Sequence, residues 1–422
     1  MHVFKFGGAS VKSAQGVRNV AGIIQAHSPR QLLVVISAMG ETTNALEQLT
    51  WAYLRRQGDK SQLWEQIRAY HEQIMYELTG SDQEPFRPVY DLLADIEAVL
   101  NEEPDASSLP DQVYDRLVSY GELLSTRIVN AYLNHTGLDS YWVDARRLVR
   151  TDDTYREGKV DWEQTCEYIT DSLAELLENS VVITQGFIGS TEEGHTTTLG
   201  RDGSDYTAAI FAHCLQAEGV TIWKDVPGVL NADPKWFDET VKIDQLTYQD
   251  AIELAYYGAT VIHPKTIKPL QNRTIPLYVR SFLHPQEPGT VIGQFEKHLP
   301  IPSFIFKMKQ TLISLHPKDF SFIAEENLSR IFGHFAEYGV KINLMQNTAI
   351  SFSVVVDTQS ERLAKLMPLL REEFKITYNA DLELITIRHY DEKTIDRVLV
   401  NKKLLVEQKS RYTVQLVVKD LG

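Results

Sequence analysis

The residues with most chemical content lie where short apolar runs give way to glycine and small polar residues. Phe4-Lys5-Phe6-Gly7-Gly8-Ala9-Ser10 puts a lysine inside an apolar strand and a glycine pair just ahead of a helix expected to begin near Lys12. Glycines let the backbone approach an anion closely, and a helix start offers N–H groups to phosphate oxygens. A glycine pair after a strand is in itself an ordinary turn. The lysine is the distinguishing feature, because a charge within an apolar strand needs an anionic partner. Neither GxxxxGK[ST] nor GxGxxG occurs, so the segment is not a P-loop or a dinucleotide fingerprint.

Further candidates follow along the chain. In Ser37-Ala38-Met39-Gly40-Glu41-Thr42-Thr43-Asn44 a strand turns into a polar loop and a helix, and Thr43 or Asn44 either caps that helix or meets a ligand. Ser119-Tyr120-Gly121-Glu122-Leu123-Leu124-Ser125 sets a carboxylate in an apolar helix: a solvated face residue or, in a cleft, the partner of a substrate ammonium. Gln185-Gly186-Phe187-Ile188-Gly189-Ser190 and the threonines 196–198 offer a polar loop at a strand end. Gly200-Arg201-Asp202-Gly203-Ser204-Asp205 holds an arginine before a helix start, a fork suited to a carboxylate, with Ser204 and Asp205 as caps or ligands. The stretch 222–235 leaves a strand through two turns, and Lys224, Asp225, Leu230 and Lys235 suit a nucleotide pocket, although both lysines also fit a solvated surface. His263, beside Pro264, reads as a structural cap.

Several elements must position these residues. Short β-branched runs at 2–6, 32–37, 141–144, 181–188, 220–225 and 275–280 alternate with segments of helical period, which predicts an α/β fold with a mostly parallel sheet sandwiched by helices. The strands are nearly all apolar rather than alternating, as expected when both sheet faces are covered. Residues 54–134 read as a helical excursion from that sheet. Proline and glycine cluster beyond Pro285, and a domain boundary is expected at 295/296. From there a βαββαβ order is predicted, with strands 310–315, 340–345, 350–356 and 382–387 and helices 326–338 and 360–374, then a further helix and a last strand 412–418.

At 422 residues the chain exceeds one ordinary core, so two domains are expected, 1–295 and 296–422. A formal charge of −15 argues against nucleic acid or an anionic membrane as partner, and requires that an anionic substrate be received by a local cluster of cations and N–H groups. Cys166 and Cys214, each in a helix-like segment, support neither a disulfide framework nor a zinc site, and a cytoplasmic, reducing location is expected.

Over nearly its whole length the chain resembles aspartate kinases of the amino-acid kinase family. KFGGAS is similar to that family's KFGG[TS]S, SAMGETTN to its SA-x-x-x-x-TN loop, SYGELLS to its S[FY]GE segment, GRDGSDYTAA to its GRGGSDY[ST]A, and WKDVPGVLNADPK to its WTDVDG-x-x-x-x-DPR. The resemblance implies ATP and Mg²⁺ as cofactors, with the ion held mainly by ATP rather than by protein ligands. It implies that Lys5, Gly7, Gly8 and Ser10 meet the ATP phosphates, and that Lys5, Arg201 and Asp205 carry catalysis. Thr43, Glu122, Arg201, Ser204 and Asp205 would surround L-aspartate. Lys224, Asp225, Leu230 and Lys235 would form the nucleotide pocket, with Thr260, where many members place an ATP-contacting lysine, and Val261 beside it. The C-terminal unit is similar to an ACT domain, implying a homodimer and an amino-acid effector. Ala9, Asp202, Lys224, Lys235 and Thr260 depart from the family pattern, and 344–351 lacks the Thr-Ser-Glu core of many regulated members. Because an aspartate side chain is ionised at neutral pH, no general base is needed, which agrees with the lack of an obvious catalytic histidine. An amino-acid sensor whose kinase site has decayed, and a kinase of another carboxylate such as glutamate, remain alternatives.

Overall fold

The computed structural model describes residues 1–27, 31–56, 58–104, 109–237, 239–259, 262–295, 301–319, 322–358 and 361–421. Its first elements are β1 (His2–Phe6), α1 (Ala14–His27), β2 (Leu32–Ile36), α2 (Thr42–Arg55), α3 (Lys60–Thr79), α4 (Arg87–Asn101), α5 (Pro110–Val118), α6 (Tyr120–His135) and β3 (Ser140–Val143). Then come α7 (Trp162–Asn179), β4 (Val181–Gln185), β5 (Ile188–Ser190), β6 (Thr196–Thr198), α8 (Gly203–Cys214), β7 (Gly219–Lys224), β8 (Gln245–Thr247), α9 (Tyr248–Tyr257), α10 (Pro264–Arg273), β9 (Leu277–Ser281) and β10 (Thr290–Gly293). The remainder is β11 (Ser303–Pro317), α11 (Glu325–Glu337), β12 (Leu344–Asn347), β13 (Phe352–Asp357), α12 (Glu361–Glu373), β14 (Phe374–Arg388), α13 (Glu392–Val398), β15 (Lys402–Lys409) and β16 (Thr413–Asp420).

The chain divides into two compact units. Met1–Val229, Lys242–Ile252 and Val261–His298 form the first, and Leu230–Val241, Glu253–Thr260 and Leu299–Gly422 the second. Within the first, eight strands run in the order β3-β4-β2-β1-β7-β9-β10-β8. Every pair is parallel except β9 with β10. All five residues of β2 are buried, as a strand covered on both faces requires. Register then does the gathering: Phe6 pairs with Ile36 and Trp223, and Ile36 with Gln185. Gly7, Ser37, Gly186 and Asp225 therefore leave the sheet at one carboxyl edge, where open α/β sheets bind ligands.

Aromatic packing anchors that edge. Trp223 stacks on Phe6 at 5.8 Å and meets Phe4 edge-on at 5.5 Å. The excursion α2–α6 shares this core through Trp64, Ile67, Ile74 and Met75 of α3 and Val89, Leu93, Ile96 and Leu100 of α4. The expected strand 181–188 is interrupted: β4 ends at Gln185, and Phe187 takes a positive φ of 69° before the β5–β6 hairpin. Gly186 explains the break, since a Cβ there would lie 2.4 Å from Cβ of Ser204.

In the second unit the six-stranded sheet has the order β12-β13-β11-β14-β16-β15. The segment β11-α11-β12-β13-α12-β14 follows the expected βαββαβ order, but β11 and β14 each run for 15 residues. Register shifts at Lys307, Gln310 and Leu312 divide β11 into halves with separate cores. One half packs Ile313, Leu315, Phe335, Val354 and Leu366; the other packs Phe304, Ile385, Ile387, Ile395 and Leu416. Strand β15 had no signature in the sequence because it is a sheet edge rich in lysine and mostly exposed.

One expectation is corrected. Cys166 of α7 and Cys214 of α8 are joined in a disulfide, and their Cα atoms are 4.8 Å apart. Two cysteines 48 residues apart in sequence meet only after the fold has placed their helices side by side, so no local pattern marks the pair. Among the described residues no helix is long and apolar enough to cross a membrane.

Candidate active site

The lysine of β1 has its anionic partner. Lys5 Nζ lies 2.6 Å from Asp205 Oδ1, and Lys224 Nζ lies 3.6 Å from Asp205 Oδ2. Lys5 is 8% exposed and Asp205 3%. Burial alone would raise the Asp205 carboxyl, but the ammonium groups of Lys5 and Lys224 outweigh it and hold the group below the usual carboxylate range. Two cations on one buried anion leave a local excess of positive charge beside the Gly7-Gly8 turn. In a chain of formal charge −15, such a cluster is able to receive an anion.

That turn is closely packed. After β1 the backbone enters a 3-10 turn, Gly8–Ser10, whose first residue admits no side chain: a Cβ on Gly8 would stand 2.7 Å from the Ala38 carbonyl oxygen and 3.0 Å from that of Gly40. Gly40 N–H donates to Gly8 O at 3.1 Å, which locks the loops after β1 and β2 together. A Cβ on Gly7 would point at Lys5 Nζ, 3.4 Å away. The hydroxyl of Ser10 donates to Gly7 O at 2.6 Å and braces the turn. Helix α1 begins at Ala14, slightly later than expected.

Glu122 reaches the same loops from α6. It is 2% exposed, and its Oε1 accepts from Ala38 N–H at 3.3 Å, while its buried Oε2 has no hydrogen-bond partner. Burial pushes its carboxyl up to about 8, against the opposing pull of the Ala38 N–H and of Lys5. A buried carboxyl oxygen with no partner is a group for which a cation could be the partner. Thr43 stands half-buried in the first turn of α2, whereas Thr42 is buried and donates to Met39 O at 2.6 Å. Neither Thr43 nor Asn44 caps α2, whose start lacks a side-chain cap.

Arg201 sits on the loop entering α8, its side chain 80% exposed and its Nε 3.6 Å from Asp202 Oδ2. Asp202 takes the left-handed conformation (φ 53°) at the start of α8, and Ser204 is buried beside Gly186. Asp225 is exposed after β7. In the second unit, Leu230 is half-buried and Lys235 exposed, its N–H donating to Asp233 Oδ1 at 2.9 Å. Thr260 and Val261 lie outside the described residues. His263 caps α10 as expected, its Nδ1 accepting from Lys265 N–H at 3.1 Å.

The profile of the amino acid kinase family matches residues 1–281. This chain belongs to that family. Within it this amino acid kinase groups with the aspartokinases: it is 33% identical over 361 residues to lysine-sensitive aspartokinase 3 of Escherichia coli K12, covering 84% of this chain and 78% of the relative. The solved structure of E. coli aspartokinase III in complex with aspartate and ADP (R-state) matches with a TM-score of 0.83 at 29% identity, over 99% of this chain and 96% of that one. The same E. coli protein in complex with lysine and aspartate (T-state) matches with a TM-score of 0.83 over 99% of this chain and 95% of that one.

The sequence of this amino acid kinase did not mark Asp115 as a buried carboxylate. Asp115 of α5 is fully buried and accepts hydrogen bonds from Arg156 N–H, Thr198 N–H and Thr198 Oγ1. Burial pushes its carboxyl up against the pull of these donors. The available signal was its place: a charge beside Tyr114, Leu117 and Val118 on the apolar stripe of an amphipathic helix.

Proposed function

We propose that this chain transfers the terminal phosphoryl group of ATP to the side-chain carboxylate of L-aspartate, giving 4-phospho-L-aspartate and ADP, at the head of lysine, threonine and methionine biosynthesis. The observation that carries this reading is the buried Lys5–Asp205 pair, joined by the partly buried Lys224, beside a glycine turn with no room for a side chain on Gly8. Lys5 is oriented by Asp205 toward the transferring phosphoryl group, and the excess charge of Lys224 stabilises the same anion. Fixed charges of this kind lower the barrier because they need no reorganisation as charge moves.

Gly7, Gly8 and Ser10 shape the phosphate cradle. Glu122, with its unpartnered Oε2, takes the substrate ammonium, and Arg201 the α-carboxylate, with Thr43, Ser204 and Asp205 around the substrate. Lys224 and Asp225 are assigned to the nucleotide. Mg²⁺ enters this reading as a companion of the ATP phosphates, and Asp205 is engaged by two lysines. When bound, the ion would neutralise charge on the ATP phosphates.

The second unit, with its βαββαβ order, is assigned the role of an ACT-like module that pairs two chains and receives an amino-acid effector. The E. coli relative's complex with lysine and aspartate supports an amino-acid effector. The test of the catalytic reading is ATP-dependent acyl-hydroxamate formation with aspartate, with glutamate and with no amino acid. Signal with aspartate alone is expected. Equal signal with glutamate would reassign the substrate, and no signal with either would leave a sensor without kinase activity.

A further inference from the structure

We infer that Asp115 is the positioning residue of the loop that carries Arg201, an inference that rests on reading this loop as the receiver of the substrate α-carboxylate. Asp115 Oδ2 accepts from Arg156 N–H at 2.8 Å and Thr198 N–H at 2.9 Å, and Oδ1 accepts from Thr198 Oγ1 at 2.8 Å. A carboxylate buried among apolar neighbours is costly unless donors satisfy it, and here both oxygens are met.

The donors border the loop on both sides. Thr198 ends β6 and leads through Leu199 and Gly200 into Arg201. Thr198 O in turn accepts from Gly158 N–H at 2.8 Å, which ties the 152–159 turn to the same strand. Arg156, at the tip of that turn, has φ 69°, and Gly200 has φ 73°. The two are in close contact, since a Cβ on Gly200 would lie 3.2 Å from Arg156 O. One carboxylate therefore joins α5, the turn and the strand entering the Arg201 loop into a single piece.

Arg201 depends on this because its own side chain is held by little: it is 80% exposed and contacts its sequence neighbour Asp202. Its direction is set by the backbone that delivers it, and that backbone is set by Asp115. The role is geometric rather than electrostatic. An asparagine at 115 could accept both N–H groups with its oxygen and donate its amide to Thr198 Oγ1, keeping the piece intact.

The experiment compares D115A, D115N, T198V and R201A in the full chain, with kcat and the KM for aspartate and for ATP measured separately. For D115A the aspartate KM should rise about tenfold or more, the scale of losing buried hydrogen bonds, while the ATP KM stays put. D115N should restore the aspartate KM, and T198V should raise it by less. A folded D115N as impaired as D115A would overturn the geometric role, as would an unchanged aspartate KM in D115A. If D115A does not fold, T198V decides, and an unchanged aspartate KM there overturns the inference. R201A separates the two levels. An unchanged aspartate KM in R201A would overturn the reading of the loop itself, whereas a raised one with normal D115A and T198V would overturn the role of Asp115 alone.

Discussion

Lys5 on the first strand and Asp205 at the start of α8 form a buried ion pair of 2.6 Å, and Lys224 shares the same carboxylate from a neighbouring strand. Such a pair is poor evidence of stability, because desolvating the charges offsets most of their attraction. It is better understood as a device that fixes the direction of an ammonium. Lys5→Ala should lower turnover at least ~100-fold, the scale of removing one preorganised charge donor. Single-turnover rates near wild type in a folded variant would remove Lys5 from catalysis.

Glu122 predicts a pH dependence. Burial pushes its carboxyl in the folded chain up to about 8 from the ordinary 4.5, so at neutral pH the folded protein holds a proton that the unfolded chain has released. The sign follows: its contribution to stability is full below the unfolded value and is lost as pH rises through about 8. A substrate ammonium needs the ionised form, so aspartate binding should expel this proton and tighten as pH rises toward that value. The aspartate KM should fall by up to about tenfold per pH unit below the folded pKa and then level off. Measured from about pH 6.5 to 9, a KM of equal slope in wild type and Glu122→Gln would contradict the assignment.

Gly8→Ala tests the phosphate cradle without touching a charge. The added methyl would stand 2.7 Å from Ala38 O and 3.0 Å from Gly40 O, both backbone atoms, so the loops after β1 and β2 must separate. The ATP KM should rise and kcat fall, each by an order of magnitude or more (~10-fold), given the sensitivity of phosphoryl transfer to positioning. Gly22→Ala serves as the control, since a Cβ there meets nothing within 4 Å. Equal kinetics in the two variants would refute the cradle.

The Cys166–Cys214 bond predicts a thiol count. Alkylation of the unfolded protein without reductant should label neither cysteine, and labelling after reduction should reach both, read by mass. Cys166→Ser should lower the stability of the oxidised protein by ~2–4 kcal/mol, since the bond closes a loop of 48 residues in the unfolded chain. Two reactive thiols in protein purified without reductant would show that the bond is not kept.

How much was legible beforehand follows from the range of each interaction. The strand–glycine–helix punctuation at 4–10, 35–44 and 200–209 is local, so the sequence by itself determined the α/β order, the edge at which the loops gather and the lysine that needed an anion. Glu122 was legible as a residue, but its unpartnered oxygen was not, because its neighbour Ala38 comes from a distant loop. Which anion Lys5 meets, the three donors on Asp115, the Cys166–Cys214 bond and the halving of β11 were decided only by tertiary structure. Each joins atoms far apart in the chain, and burial sets its strength by removing water from around them, a condition that exists only once the elements have packed.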